Sequence, residues 1–266
     1  MNSARRPTRP RVLVLAIDGL DWSVLQSGVD AGQLPFVAQL LEAGSSARLA
    51  PSPGGHPCAW TSAATGVWPD RHGVCHDLSL RADGLSYAPA SREAILSPTL
   101  WQVMAKAGRR AWTIGWPATL PDLHPDMHPD MHSDMHPHAD QRTEATAPER
   151  AVQGFERAPD DDPDHWPMSP AVYSPPSLRE TLLDSRIHPD DFMLDDLHCL
   201  LPEGAPPNAL VQARRLIARW SSIQDLGLRW AEAPEWDLLA LRLDGLPEWI
   251  QTLRAQAPQV RGEDAL

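Results

Sequence analysis

The chain has 266 residues, 42% of them hydrophobic, with 28 prolines and a formal net charge of −12. That length buries one sizeable core, or one large domain with an accessory piece, and the proline count puts part of the chain in loops or disorder. The acidic balance excludes a nucleic-acid partner, because nothing neutralises a phosphate backbone, yet it leaves room for one small phosphate ester.

Cys58, Cys75 and Cys199 leave at least one thiol unpaired and show no C-x-x-C spacing, which fits a reduced compartment. The apolar run over 12–17 is too short for a signal-peptide core or a membrane span, so a cytoplasmic protein with no membrane partner is expected.

Residues 1–10 read as a disordered, basic arm. The continuous aliphatic run Val12-Leu13-Val14-Leu15-Ala16-Ile17 predicts a strand buried on both faces of a parallel sheet. It ends in Asp18-Gly19. A carboxylate there either lies at the ligand-binding edge of an open α/β sheet or caps the helix that follows through Trp22 and Leu25. Residues 34–43 carry apolar side chains at helical spacing, with Pro35 suited to the first turn and Gly44 to the stop. Ser46 to Ala50 read as a short strand.

The stretch Pro53-Gly54-Gly55-His56-Pro57 then brings a flexible backbone to a helix start. His56 falls at the N-cap, beside unpaired N–H groups and the positive end of a helix dipole, a place for an anion. Pro98 to Gly108 repeat the proline-start, glycine-stop logic, and Arg110 to Gly115 read as the next strand. Helices alternating with buried strands predict an α/β fold with a mostly parallel sheet.

After Pro121 the character changes. His124-Pro125-Asp126-Met127, His128-Pro129-Asp130-Met131 and His132-Ser133-Asp134-Met135 form a four-residue repeat ending in His136-Pro137-His138. Histidine with aspartate can capture zinc, nickel or copper, but the prolines prevent a helix that would gather the imidazoles on one face. Residues 122–170, acidic and proline-rich, read as a disordered low-complexity insertion with adventitious metal affinity. Order is expected to resume near Val172. Residues 174–183 form a helix start, and residues 208–231 an amphipathic helix with Leu210, Ala213, Ile217, Trp220 and Ile223 along one stripe. Residues 235–243 make a second buried strand, ending at Asp244-Gly245.

With these pieces placed, the chain resembles the alkaline phosphatase superfamily, and within it the type I phosphodiesterase/nucleotide pyrophosphatase group. The resemblance rests on Val12 to Gly19, on Ala59 to Gly66 followed by Pro69-Asp70-Arg71-His72-Gly73, on Thr99 through Thr119, and on Trp236 to Leu241. It implies a parallel sheet sandwiched by helices, here incomplete at the C-terminus, with residues 11–121 and 171–266 as two parts of one domain. It also implies metal-dependent hydrolysis of a small phosphate ester by two divalent ions, usually zinc, about 4 Å apart.

On that resemblance Asp18 is a metal ligand, and the Thr or Ser nucleophile position falls on His56. The imidazole of His56 could ligate the metal or accept a phosphoryl group. The Asp-x-x-x-His pair for the other metal falls on Pro247 and Gln251, neither a useful ligand. A catalytically inactive relative that binds a ligand, or a protein whose His-rich repeat binds metal, are the alternatives. A sheet missing its later strands would leave an edge open to self-association.

Overall fold

The computed structural model describes residues 10–49, 56–76, 78–80, 87–89, 92–117, 119, 149–157, 166–193, 197, 201 and 207–255. The arm before residue 10, Pro53-Gly54-Gly55, the His-Asp repeat at 124–138 and Asp160-Asp161-Asp162 lie outside them.

Strand β1 is Val12–Ile17. Helices α1 (Trp22–Asp30) and α2 (Pro35–Ala43) follow. Helix α3 is His56–Thr65 and the short α4 is Pro69–His72. A small antiparallel hairpin, β2 (Leu78–Leu80) with β3 (Tyr87–Pro89), stands apart from the main sheet. Then come α5 (Leu100–Lys106), β4 (Ala111–Ile114), β5 (Arg150–Val152), β6 (Tyr173–Ser174) and α6 (Arg179–Ser185). The 26-residue α7 (Pro207–Glu232), β7 (Leu238–Leu243) and α8 (Leu246–Ala255) complete the order.

The main sheet runs β1-β7-β4-β5-β6. Pairs β1–β7, β7–β4 and β4–β5 are parallel, and only β5–β6 is antiparallel. The sheet is therefore the expected mostly parallel one, and its C-terminal strand ends share an edge. One face carries Trp112, Ile114, Leu239 and Leu241 against Ile223, Leu226 and Trp230 of α7 and Leu182 of α6. The opposite face carries Ala111, Leu238 and Ala240, with Val14 and Ala16, against Ala64 and Trp60 of α3 and Trp101 and Met104 of α5. Helices thus cover both faces of the β4–β7 centre.

Local chemistry sets the helix ends. The Asp21 carboxylate accepts from Ser23 N–H at 2.7 Å and caps α1. Thr99 and Gln102 make a reciprocal capping box at the start of α5, at 3.4 and 2.8 Å. Gly73, at φ +80°, ends α4 in the left-handed conformation.

Several expectations change. Strand β1 was expected to be buried on both faces, but Val12, Leu13 and Leu15 are 52, 57 and 58% exposed. The reason is position: β1 is an edge strand among the described residues, and α7 covers β7 and β4 without reaching it. Ser46 to Leu49 have no strand partner among the described residues, Leu49 is exposed, and Ala50 lies outside the described residues. Order returns earlier than Val172, because Arg150–Val152 hydrogen-bonds β4 as β5 inside the stretch read as an insertion. On α7 the buried line is Ala209, Ala213, Leu216, Ile223, Leu226 and Trp230, rotated from the stripe through Leu210, Ile217 and Trp220.

Candidate functional site

Strands β1 and β7 lie in register from Val12 opposite Leu238 to Ile17 opposite Leu243. Both end in Asp-Gly, so Asp18-Gly19 and Asp244-Gly245 stand side by side at the C-terminal edge. Both glycines have positive φ, +78° and +92°. Asp18 is not the cap of α1, a task that falls to Asp21, and its carboxylate lies at the ligand edge instead.

Asp18 is buried there, and Arg242 of β7 is only 6% exposed. The Arg242 Nη2–H donates to Asp18 Oδ2 at 2.7 Å. Its Nη1–H reaches the Gly115 carbonyl at 3.3 Å and Asp244 Oδ2 at 3.4 Å. Gly115, at φ +71°, lets the end of β4 lie close to the β7 backbone, where a Cβ would meet the Arg242 carbonyl oxygen at 2.5 Å. The guanidinium also lies 4.9 Å from the Trp60 ring centroid. Trp60 packs edge-on against Trp116 at 5.6 Å, and Trp116 against Trp101 at 5.7 Å.

Helix α3 is thereby placed against the edge. His56 opens this helix, and its position lies four residues before Trp60, on the same helix face and about 6 Å nearer the N-terminus. Arg242 links the two elements, through Asp18 on one side and the Trp60 ring of α3 on the other.

Asp244 collects further guanidiniums. Arg157 Nη2–H donates to Oδ2 at 2.6 Å, and Arg219 pairs with Oδ1. Trp220 Nε1–H donates to the Asp244 carbonyl at 2.7 Å. Burial pushes the Asp244 carboxyl up, but Arg219, Arg157 and Arg242 outweigh it and hold it below the ordinary aspartate range. Glu156 shifts the other way: it is buried, one oxygen has no hydrogen-bond partner, and burial raises its carboxyl. Nearby, burial pushes the Arg186 guanidinium down to about 10.

His72 serves the scaffold. It is fully buried, and its Nδ1 accepts from Val74 N–H at 3.1 Å, so Nε2–H faces Ser62 Oγ at 2.9 Å. Burial lowers its pKa, the sign of an imidazole kept neutral.

The described residues do not fit the two-ion centre that the resemblance implies. An Asp18 oxygen is already paired with a guanidinium, and a cation added beside Arg242 would be repelled. Pro247, on which the resemblance places the second carboxylate, packs its ring against Gly19, with Cγ 2.7 Å from where a Cβ would stand. Gln251 is exposed on α8. No three His, Cys, Asp or Glu side chains gather into a metal-binding group among the described residues.

Sequence reasoning missed Arg242, Asp244 and Glu156. A signal existed for the first: an arginine inside Leu238-Leu239-Ala240-Leu241-Arg242-Leu243 is a charge in a buried strand and demands a buried anion.

No curated protein matches the chain. Among solved structures, phosphonoacetate hydrolase from Sinorhizobium meliloti 1021 in complex with phosphonoacetate is similar at 16% identity and TM-score 0.49, over 92% of this chain and 48% of that one. The same enzyme with phosphonoformate gives 18% identity and TM-score 0.48, over 88% and 46%. The chain thus spans about half the length of that hydrolase. Among the described residues no helix is long and apolar enough to cross a membrane. The family profile for type I phosphodiesterase / nucleotide pyrophosphatase matches residues 12–177, from the first residue of β1 through α3 to just before α6, and the chain belongs to that family.

Proposed function

We propose that the chain binds a small phosphate ester at the C-terminal ends of β1, β4 and β7, as a relative of phosphoester hydrolases in which recognition outlasts two-metal turnover. The observation that carries this reading is the buried Asp18–Arg242 pair at 2.7 Å. The carboxylate expected to hold a divalent ion is already neutralised by a side chain. Arginine is itself a natural partner for phosphate, through charge and directed N–H groups. As part of this proposal, the positive N-terminal end of α3, which begins at His56, adds a further attraction for the anion.

A second reading is metal-dependent hydrolysis, with Asp18 and His56 as ligands of a zinc ion and His56 also as the catalytic group. The family match favours it, because it runs across both residues. A divalent ion would supply Lewis-acid stabilisation of the phosphoryl oxygens.

Binding and hydrolysis of aryl phosphate mono- and diesters, with and without added zinc or manganese, separate the two. The expected result is saturable binding and no turnover above that of Asp18→Ala. Turnover abolished by Asp18→Ala would sink the first reading in favour of the second. Metal uptake lost only on deleting 122–140 would make the His-Asp repeat the working part instead.

A further inference from the structure

The misfit between Asp18 and a metal has a positive side. We infer that Arg242 is the resident cation of this edge and that the site takes a phosphate or phosphonate oxyanion without a metal ion, an inference that rests on the ester-binding reading above.

Three observations support it. Arg242 is buried and held from several sides, by Asp18 at 2.7 Å, the Gly115 carbonyl at 3.3 Å and Asp244 at 3.4 Å. Its position is therefore built rather than sampled. Second, its Nε is buried with no hydrogen-bond partner among the described residues, so one directed N–H on a fixed charge is left for an acceptor. Third, the indole N–H of Trp116, whose ring packs on Trp60 as the Arg242 guanidinium does, is also buried without a partner. These spare groups bordering Trp60 are donors. Donors without acceptors match an oxyanion and repel a cation.

The same pair also predicts what happens when the arginine is removed. With Arg242→Gln, buried Asp18 loses the guanidinium at 2.7 Å, and a divalent ion can take the place of that charge. Anion binding and metal binding at this edge are thus exclusive alternatives, and residue 242 selects between them.

The test is titration of the full chain with phenyl phosphate and phenylphosphonate in EDTA, read by tryptophan fluorescence and calorimetry. It is paired with zinc titration of the same proteins. The unaltered chain is expected to bind the oxyanions in EDTA. Arg242→Gln is expected to bind them at least tenfold more weakly and to take up one more zinc per chain than the unaltered protein, whose own zinc uptake is the baseline.

The double variant Asp18→Asn/Arg242→Gln, which leaves no unbalanced charge, guards against misfolding of the single one. It is expected to lose oxyanion binding and gain no zinc. Oxyanion binding that requires zinc, or binding retained in either variant, or no zinc gain in folded Arg242→Gln, overturns the inference. Absence of any oxyanion binding, with or without zinc, instead overturns the ester-binding reading on which it rests.

Discussion

Strands β1 and β7 invite comparison because they are near twins. Each has six residues dominated by aliphatics, each ends in Asp-Gly, and they pair in parallel along their full length. Yet β7 is buried along nearly its whole run, while β1 has three of its large side chains more than half exposed. The difference lies in neighbours. Strand β7 has β4 on its other side and α7 on its face; β1 has neither. The two aspartates are joined by one side chain, since Arg242 reaches both Asp18 and Asp244, and Asp244 is also reached by Arg157 and Arg219. Apolar pattern says that a strand can be buried; topology says whether it is.

The sharpest way to break the comparison is at the residue that joins the two ends. Arg242→Ala leaves Asp18 buried beside an empty space, and the expected loss is about 3–5 kcal/mol in urea unfolding. Replacing both partners by a neutral pair, Asp18→Asn with Arg242→Met, is expected to recover much of it.

Next is the core contrast. Leu239→Ala, on the buried twin, is expected to cost about 2–5 kcal/mol, whereas Leu13→Ala on the exposed one stays within about 0.5 kcal/mol of zero. Equal costs would mean that β1 is covered in solution. In that outcome we propose a second copy as the cover, at the β1 edge that is unpaired among the described residues, through Leu13 and Leu15. Light scattering should then show mass above 29.3 kDa that rises with concentration. Leu13→Lys with Leu15→Lys should return the monomer. A concentration-independent monomer before substitution would refute this.

The smaller effects are read by pH. His72 has a folded pKa below its ordinary 6.5, so its contribution to stability is complete above that value and is lost as pH falls through it. Unfolding midpoints should therefore drop on going below about pH 6.5, and His72→Gln should flatten that limb. Glu156 carries the opposite sign. Its raised carboxyl favours the fold at low pH, and that contribution is lost as pH rises from its ordinary 4.5 through the folded value. Glu156→Gln should accordingly raise the midpoint at neutral pH. An unchanged or lower midpoint would mean that its charge is compensated.

Much of the architecture was legible in the chain itself. The aliphatic runs marked β1, β4 and β7, and the proline and glycine punctuation marked α2 and α5, because backbone sterics act locally. Asp18 was legible as an edge carboxylate for the same reason. What escaped was nonlocal. Strand β5 sits in an acidic, proline-rich neighbourhood and is a strand because β4 offers it a ladder. Ser46 to Leu49 look extended but have no ladder to join. The partner of Asp18 is 224 residues away, and no local spacing announces it. Pro57 and the glycines put His56 at an N-cap, and it instead opens α3 as its first residue, while its chemical role depends on contacts that no local pattern gives.

The packing of Pro247 on Gly19 bears on the history open to such a chain. Placing a carboxylate at 247 would mean withdrawing the ring that fills the space over Gly19, and so loosening the turn that carries Asp18. The new carboxylate would join Asp18 and Asp244 around a guanidinium already shared between them. A histidine at 251 would gain nothing until that arginine had also gone. On the proposed anion-binding reading, each of these changes is unfavourable until the others have occurred, so positions 19, 242, 247 and 251 hold one another in place.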